Sequence, residues 1–288
     1  MSKIRALFLS SLVLATMLPA KGSGQTALSF STVDVPGATQ TVVTDIDGSG
    51  NLVGFYVSGD VSHGFRKVAG NFVSINFQGA TGTWPSGIDL NNSYIVGWYT
   101  DSKSVSHGFK LASGTFKTIN VPGAVWTRAL SVNSMGTIVG AYADNAGKIH
   151  GFLDDRGNGV FTTLDYPEAT LTEINHIVNL RYMAGMFIDS SGVEHGVQGA
   201  DGMLGMAINF PGAKLTTATG VNNAVDIVGY YSSSNFGPFH GYLLTGGQFH
   251  TINFPDAIDT RCNSISDALE IVGRYTDRLG KIHGFFAK

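Results

Sequence analysis

The chain has 288 residues, rich in glycine (38) and phenylalanine (18), with 18 Lys+Arg against 21 Asp+Glu and a net charge of −3. A 43% hydrophobic share with so little charge excludes a disordered chain, and eight prolines without a Gly-X-Y period exclude collagen. No Lys/Arg run exceeds a pair such as Arg66-Lys67, so there is no electrostatic footprint for nucleic acid or anionic lipid.

Residues 1–20 read as a secretory signal peptide: Lys3 and Arg5 precede an apolar run from Ala6 to Leu18, and small residues follow. The run is too short for a ~30 Å hydrocarbon core, which needs ~20 residues, so no membrane span is expected once it is removed. Cleavage is expected after Ala20 or Gly24, residues 21–27 form a short linker, and loss of 1–20 takes the net charge from −3 to −5. The protein is expected to be secreted or periplasmic. With Cys262 as the sole cysteine, no intramolecular disulfide is available, and stability must come from burial and strand pairing.

From residue 28 the chain is one domain of six repeats of about 44 residues. A His-Gly pair recurs at His63, His107, His150, His195, His240 and His283, in five cases followed by an aromatic residue and once by Val197. A second anchor is the glycine of I-V-G-x-Y, at Gly54, Gly97, Gly140, Gly185, Gly229 and Gly273. A third is a proline (Pro36, Pro122, Pro167, Pro211, Pro255, with Gln78 in the second copy), followed five residues later by Thr41, Thr83, Thr127, Thr172, Thr216 or Thr260. Within each unit the apolar runs are short and separated by Gly, Asn, Asp and Ser, which predicts four β segments; in the second unit these are 83–90, 94–99, 107–111 and 116–121. Turns such as Asp47-Gly48-Ser49-Gly50 suit hairpins that need positive φ.

A 40–50-residue period with four strands favours a closed propeller over an open solenoid. The ends agree: the repeats begin with a lone fourth-strand segment at 28–35 and stop after a third strand at His283-Gly284-Phe285-Phe286, with no polar capping repeat. The expected fold is an all-β six-bladed propeller of four-stranded antiparallel blades, its ring closed by the N-terminal strand completing the last blade.

The His-Gly-Phe sites preceded by I-V-G-x-Y resemble the bacterial extracellular repeat proteins named for a His-Ala-Phe signature, the HAF repeat family. The resemblance covers about residues 30–288 and implies export and a propeller-like repeat fold, with no catalytic residues to carry over. The fourth unit departs most, with Glu168 for Gly, Val197 for Phe and Ala184-Gly185-Met186 for Val-Gly-Tyr, and is expected to be the least regular.

Six of the eight histidines share one repeat position, which reports blade geometry rather than a coordination sphere; each is expected to bond a nearby turn. The repeated Thr, and the Asx two residues before each proline position (Asp34, Asn76, Asn120, Asp165, Asn209, Asn253), take the same structural reading. No metal and no cofactor are expected. Positions that vary inside the constant frame are more informative: directly after the Thr stand Val42, Trp84, Arg128, Glu173, Thr217 and Arg261, and two residues earlier Gln40, Gly82, Trp126, Leu171, Leu215 and Asp259. Period-two alternation puts both sets on one side of the innermost strand, rimming the channel mouth. Trp84, Trp126, Arg128, Glu173, Asp259 and Arg261 would then form an aromatic and charged ring suited to a sugar; the alternative is that they are solvated loop positions.

Glycosidic cleavage by Glu173 and Asp259 would need them ~5–9.5 Å apart. Asp45-Ile46-Asp47-Gly48-Ser49-Gly50 resembles the start of a calcium loop but has Tyr56 where the closing Glu belongs, so a hairpin turn is expected. No G-x-S-x-G, Walker, H-E-x-x-H or C-x-x-C sequence is present. The function expected is a secreted, non-catalytic, monomeric propeller binding an extracellular glycan or cell-surface ligand at the channel mouth. The alternatives are a propeller hydrolase or lyase acting on a sugar or lactone, and a structural cell-envelope repeat protein.

Overall fold

A computed structural model describes residues 28–288; the expected leader and linker lie outside the described residues. After β1 (Phe30–Val33) come β2 (Gln40–Ile46), β3 (Leu52–Ser58), β4 (Val61–Val68) and β5 (Asn71–Ile75), then β6 (Gly82–Ile88), β7 (Tyr94–Thr100), β8 (Ser106–Ala112) and β9 (Thr115–Ile119). Next are β10 (Trp126–Val132), β11 (Ile138–Ala143), β12 (Ile149–Asp154) and β13 (Phe161–Leu164), followed by β14 (Leu171–Ile177), β15 (Tyr182–Ile188), β16 (Glu194–Ala200) and β17 (Met203–Ile208). The chain ends with β18 (Leu215–Val221), β19 (Ile227–Ser232), β20 (His240–Thr245), β21 (Gln248–Ile252), β22 (Asp259–Ile265), β23 (Ile271–Thr276) and β24 (Ile282–Ala287). The β6–β9 strands match the expected segments within about three residues at each end.

These strands build antiparallel four-stranded blades in meander order, and β1 completes the last one as β1-β24-β23-β22, with Phe30 opposite Ala287 and Val33 opposite Gly284. By hydrogen bonding there are five sheets rather than six separate ones. The β10–β13 and β14–β17 meanders join into one eight-stranded sheet because Ile149 and Leu171, each opening its strand, meet in a single parallel bridge. Each blade packs on the first strand of the next, and β2 packs on β22, β23 and β24, which closes the ring. The architecture is a β-propeller.

The core lies between sheets, which is why strands are apolar on both faces. Val139, Leu153 and Leu164 of one meander meet Ile174, Ile177 and Met183 of the next. The aromatic after His-Gly is fully buried at Phe65, Phe109, Phe152, Tyr242 and Phe285. Its ring lies over the glycine of I-V-G-x-Y, where a Cβ would also collide with an inner-strand carbonyl, that of Arg128 in the case of Gly140. Cys262 is part of this packing; burial pushes its thiol pKa up, so it is an inert core residue.

The repeated polar residues tie loops to strands. In all six units the Thr hydroxyl accepts the N–H of the residue preceding the Pro position, from Thr41 with Val35 to Thr260 with Phe254, at 3.0–3.1 Å. Likewise Nδ1 of every repeated His bonds the Asx of that loop, from His195 with Asn209 at 2.7 Å to His63 with Asn76 at 3.2 Å. In four units Nε2 meets an aspartate six residues upstream, Asp101, Asp144, Asp189 or Asp277. The other oxygen of each aspartate caps the β-turn, as Asp189 does for Ser191 and Val193. Asp47 caps its hairpin in the same manner, accepting the N–H groups of Ser49 and Asn51 at 2.8 Å.

The fourth unit keeps its strands, with one extra irregularity between Val197 and Gly199 where β16 meets β17. Its loop places Glu168 at φ 61, in the turn position where four other units have glycine at φ 79 to 81. A side chain there is strained and glycine is not. Glu168→Gly should stabilise the fold by about 0.5–1 kcal/mol, less than the full αL penalty because glycine is also freer when unfolded, read as a rise of about 1–3 °C in calorimetric Tm. No rise would show the turn to be unstrained.

The turn aspartates give a pH dependence of known sign. Their carboxyls are held below the usual range: Asp101 and Asp277 mainly by the N–H groups of Val105 and Lys281, Asp189 by the Ser191 hydroxyl and Val193 N–H, and Asp144 by His150. Such a group stabilises fully above its unfolded pKa, near ~4, and the contribution disappears as pH falls through the lower folded value. Tm should therefore fall between about pH 5 and pH 2, and Asp189→Asn should flatten that slope, measured by calorimetry across the series.

Candidate functional site

The inner strands β2, β6, β10, β14, β18 and β22 face the axis, and each carries a β-bulge at one repeat position, from Val43/Asp45 to Cys262/Ser264. The bulge breaks strict alternation, so consecutive positions such as Asn175 and His176 both line a cavity of about 410 Å³ on the axis. All six inner strands contribute, joined by Phe55, Trp98 and Arg274 from second strands.

Two polar layers form the lower part. In the first, side chains donate to the carbonyl of the next blade's inner strand: Thr44 to Pro85 at 2.9 Å, Asn175 to Ala218 at 2.9 Å, Thr219 to Cys262 at 2.7 Å and Asn263 to Val43 at 2.7 Å. Below it stand the residues directly after the bulge, Asp45, Gly87, Ser131, His176, Gly220 and Ser264. Four small residues leave room for one long pair, and His176 spans the ring to put Nε2 3.4 Å from Asp45. The Asp45 carboxylate, 1% exposed, also accepts the N–H groups of Ile46 and Ile88 at 2.8 Å and the Ser264 hydroxyl at 2.5 Å. So engaged, it is a structural cross-tie rather than a free base. Asp45→Ala should cost about 3–5 kcal/mol, since it orphans donors on β2, β6, β14 and β22; urea unfolding measures it, and a loss below about 1 kcal/mol would contradict the cross-tie.

The mouth holds the variable residues. Trp84 on β6 and Trp98 on β7 are register partners, their rings stacked 3.9 Å apart at 11°. The Arg128 guanidinium lies 4.4 Å from the Trp98 ring centre and 4.8 Å from that of Trp126. Gly82 makes this possible, because a Cβ there would run into the Trp84 indole. On the β22–β23 side Arg261 pairs with Asp259 at 3.2 Å and sits on the Phe239 ring at 3.8 Å and Tyr230 at 5.0 Å. Glu173 is half-buried; burial raises its pKa, Arg128 opposes the rise and Glu194 adds to it. Glu194 in turn accepts the Thr217 hydroxyl. Burial lowers the pKa of Arg128, with Glu173 opposing, and lowers that of Arg274, with Arg261 adding.

The structure thus brings Trp84, Trp126 and Arg128 together, with Glu173 in their electrostatic field, while Asp259 and Arg261 form a second cluster. Glu173 and Asp259 serve different partners. Sequence reasoning missed Trp98, Tyr230, Phe239, Glu194 and Arg274. Three of these had a signal: Trp98, Tyr230 and Arg274 occupy the variable x of I-V-G-x-Y, directly across β pairing from the variable inner-strand position.

An axial polar cavity opening between an aromatic shelf and a cationic wall can hold a small polar ligand. No family model matches the sequence, and no curated protein matches it. Solved structures do. A protein assigned as TolB from Agrobacterium tumefaciens aligns at TM-score 0.60 and 13% identity, over 86% of this chain and 90% of that one. AofleA from Arthrobotrys oligospora aligns at 0.55 and 12%, over 90% and 85%. The Aleuria aurantia lectin, solved with alpha-methyl-L-fucoside, aligns at 0.51 and 10%, over 89% and 93%. The chain shares their propeller fold. Among the described residues no helix is long and apolar enough to cross a membrane.

Proposed function

We propose that this protein is an exported, non-catalytic propeller of the HAF repeat type that binds a carbohydrate at the channel mouth. The observation that carries the reading is the stacked Trp84–Trp98 pair, flanked by Arg128 and Trp126, at the rim of a cavity lined from every inner strand. Indole faces match the C–H faces of a pyranose, and the adjoining guanidinium supplies hydrogen bonds for its oxygens. The fucoside complex of one fold neighbour lends support by analogy. We count the eight-stranded sheet as two blades, since one bridge alone unites two full repeats; the ring then has six. The leader at 1–20 supports export to the periplasm or beyond.

A glycan array probed with the wild type and with a Trp84→Ala/Trp126→Ala double variant tests the site. The wild type should bind a defined glycan set, and the double variant should bind it roughly tenfold more weakly while keeping its circular dichroism spectrum and Tm. Binding unaltered in the variant would remove the site assignment, and no binding by either protein would remove the carbohydrate reading.

A further inference from the structure

The hydrogen-bonding capacity of the cavity is unequally spent. Thr44, Asn175, Thr219 and Asn263 already donate to neighbouring blades, and Ser86 donates to the Trp84 carbonyl. These side chains hold the ring together, and with a donor spent what remains on them is mostly acceptor oxygen, which does not attract an anion. Arg274 is different. It lines the cavity from β23, is half-buried, and among the described residues its guanidinium has no hydrogen-bond or ion-pair partner. Five N–H donors therefore stand free in the cavity wall.

The surroundings increase the demand for an anion. Arg261 stands opposite Arg274 in the β22–β23 register, and the neighbouring carboxylate, Asp259, is engaged by Arg261 and by the Phe239 N–H at 3.3 Å. Two guanidiniums thus share one carboxylate. On the far side of the ring the Nε of Arg128 is buried without an acceptor. The acids at the mouth, Glu173 and Glu194, lie towards Arg128 and Thr217 and do not engage Arg274. A half-buried cation beside a like charge is costly, and an anionic group on the ligand would compensate it.

Resting on the carbohydrate reading above, we propose that Arg274 is the subsite for the carboxylate of an acidic saccharide, a uronate, whose ring lies against the Trp84–Trp98 shelf. A carboxylate matches the planar guanidinium fork by two parallel hydrogen bonds, and its negative charge offsets that of the Arg274 guanidinium.

The test is calorimetric titration of the full chain with uronate oligosaccharides (galacturonate, glucuronate and mannuronate), their methyl esters, which keep the sugar ring but are neutral and one methyl larger, and a sulfated neutral oligosaccharide. The wild type should bind one of the acids roughly 10–100-fold more tightly than its ester, and added salt should narrow the gap. Arg274→Gln should abolish the preference while leaving ester binding nearly unchanged, and Arg274→Lys should keep part of it. Equal binding of acid and ester by the wild type would overturn the carboxylate subsite and leave the carbohydrate reading standing. Binding of none of the sugars would overturn the uronate subsite and leave the carbohydrate reading to the glycan array, and tighter binding of the sulfated sugar would overturn the choice of carboxylate. Should Arg274→Gln not fold, the wild-type acid-to-ester ratio and the Arg274→Lys ratio still decide the matter.

Discussion

The ring depends on one ladder, that between β1 and β24. Without Phe30–Val33 along its edge, the last blade would end at β24 with an unpaired strand, and the Phe30 ring would no longer pack against Phe254 and Phe285. The closure is reinforced on the axis, where Asn263 donates to Val43 and Ser264 to Asp45. Outer ladder and inner belt both join the last repeat to the first. The cavity exists because the inner strands are held in a circle by these contacts rather than splayed in a row.

Much of this was legible because the repeats act as internal controls. A residue type kept in six environments, such as Thr41 and its counterparts, must answer a need that every blade shares, and each of these threonines makes the same loop bond. The same logic read the histidines as scaffold. It worked less well for contacts that break the symmetry. The Asp45–His176 tie joins residues 131 apart at positions where the other units carry only Gly or Ser. No local pattern announces it, since it requires a ring narrow enough for one imidazole to cross. The fusion of two sheets likewise rests on one parallel bridge, between Ile149 and Leu171, that no sequence pattern marks.

At the mouth, the inner-strand half was found and the second-strand half was not. Trp84 was singled out as variable, while Trp98, hidden inside the I-V-G-x-Y signature, passed as part of the constant frame. Antiparallel pairing makes such omissions predictable: when a variable position faces a cavity, its register partner on the adjacent strand is on the same face. The upstream aspartates that brace His107, His150, His195 and His283 show a further spacing, six residues, that was visible without coordinates.

The order in which the polypeptide is made has a consequence for the β1–β24 ladder. Ser29 and Lys288, which exchange backbone hydrogen bonds at its end, are 259 residues apart. Of the described strands β1 is made first and its mate β24 last, so the circle cannot lock until every strand between them exists.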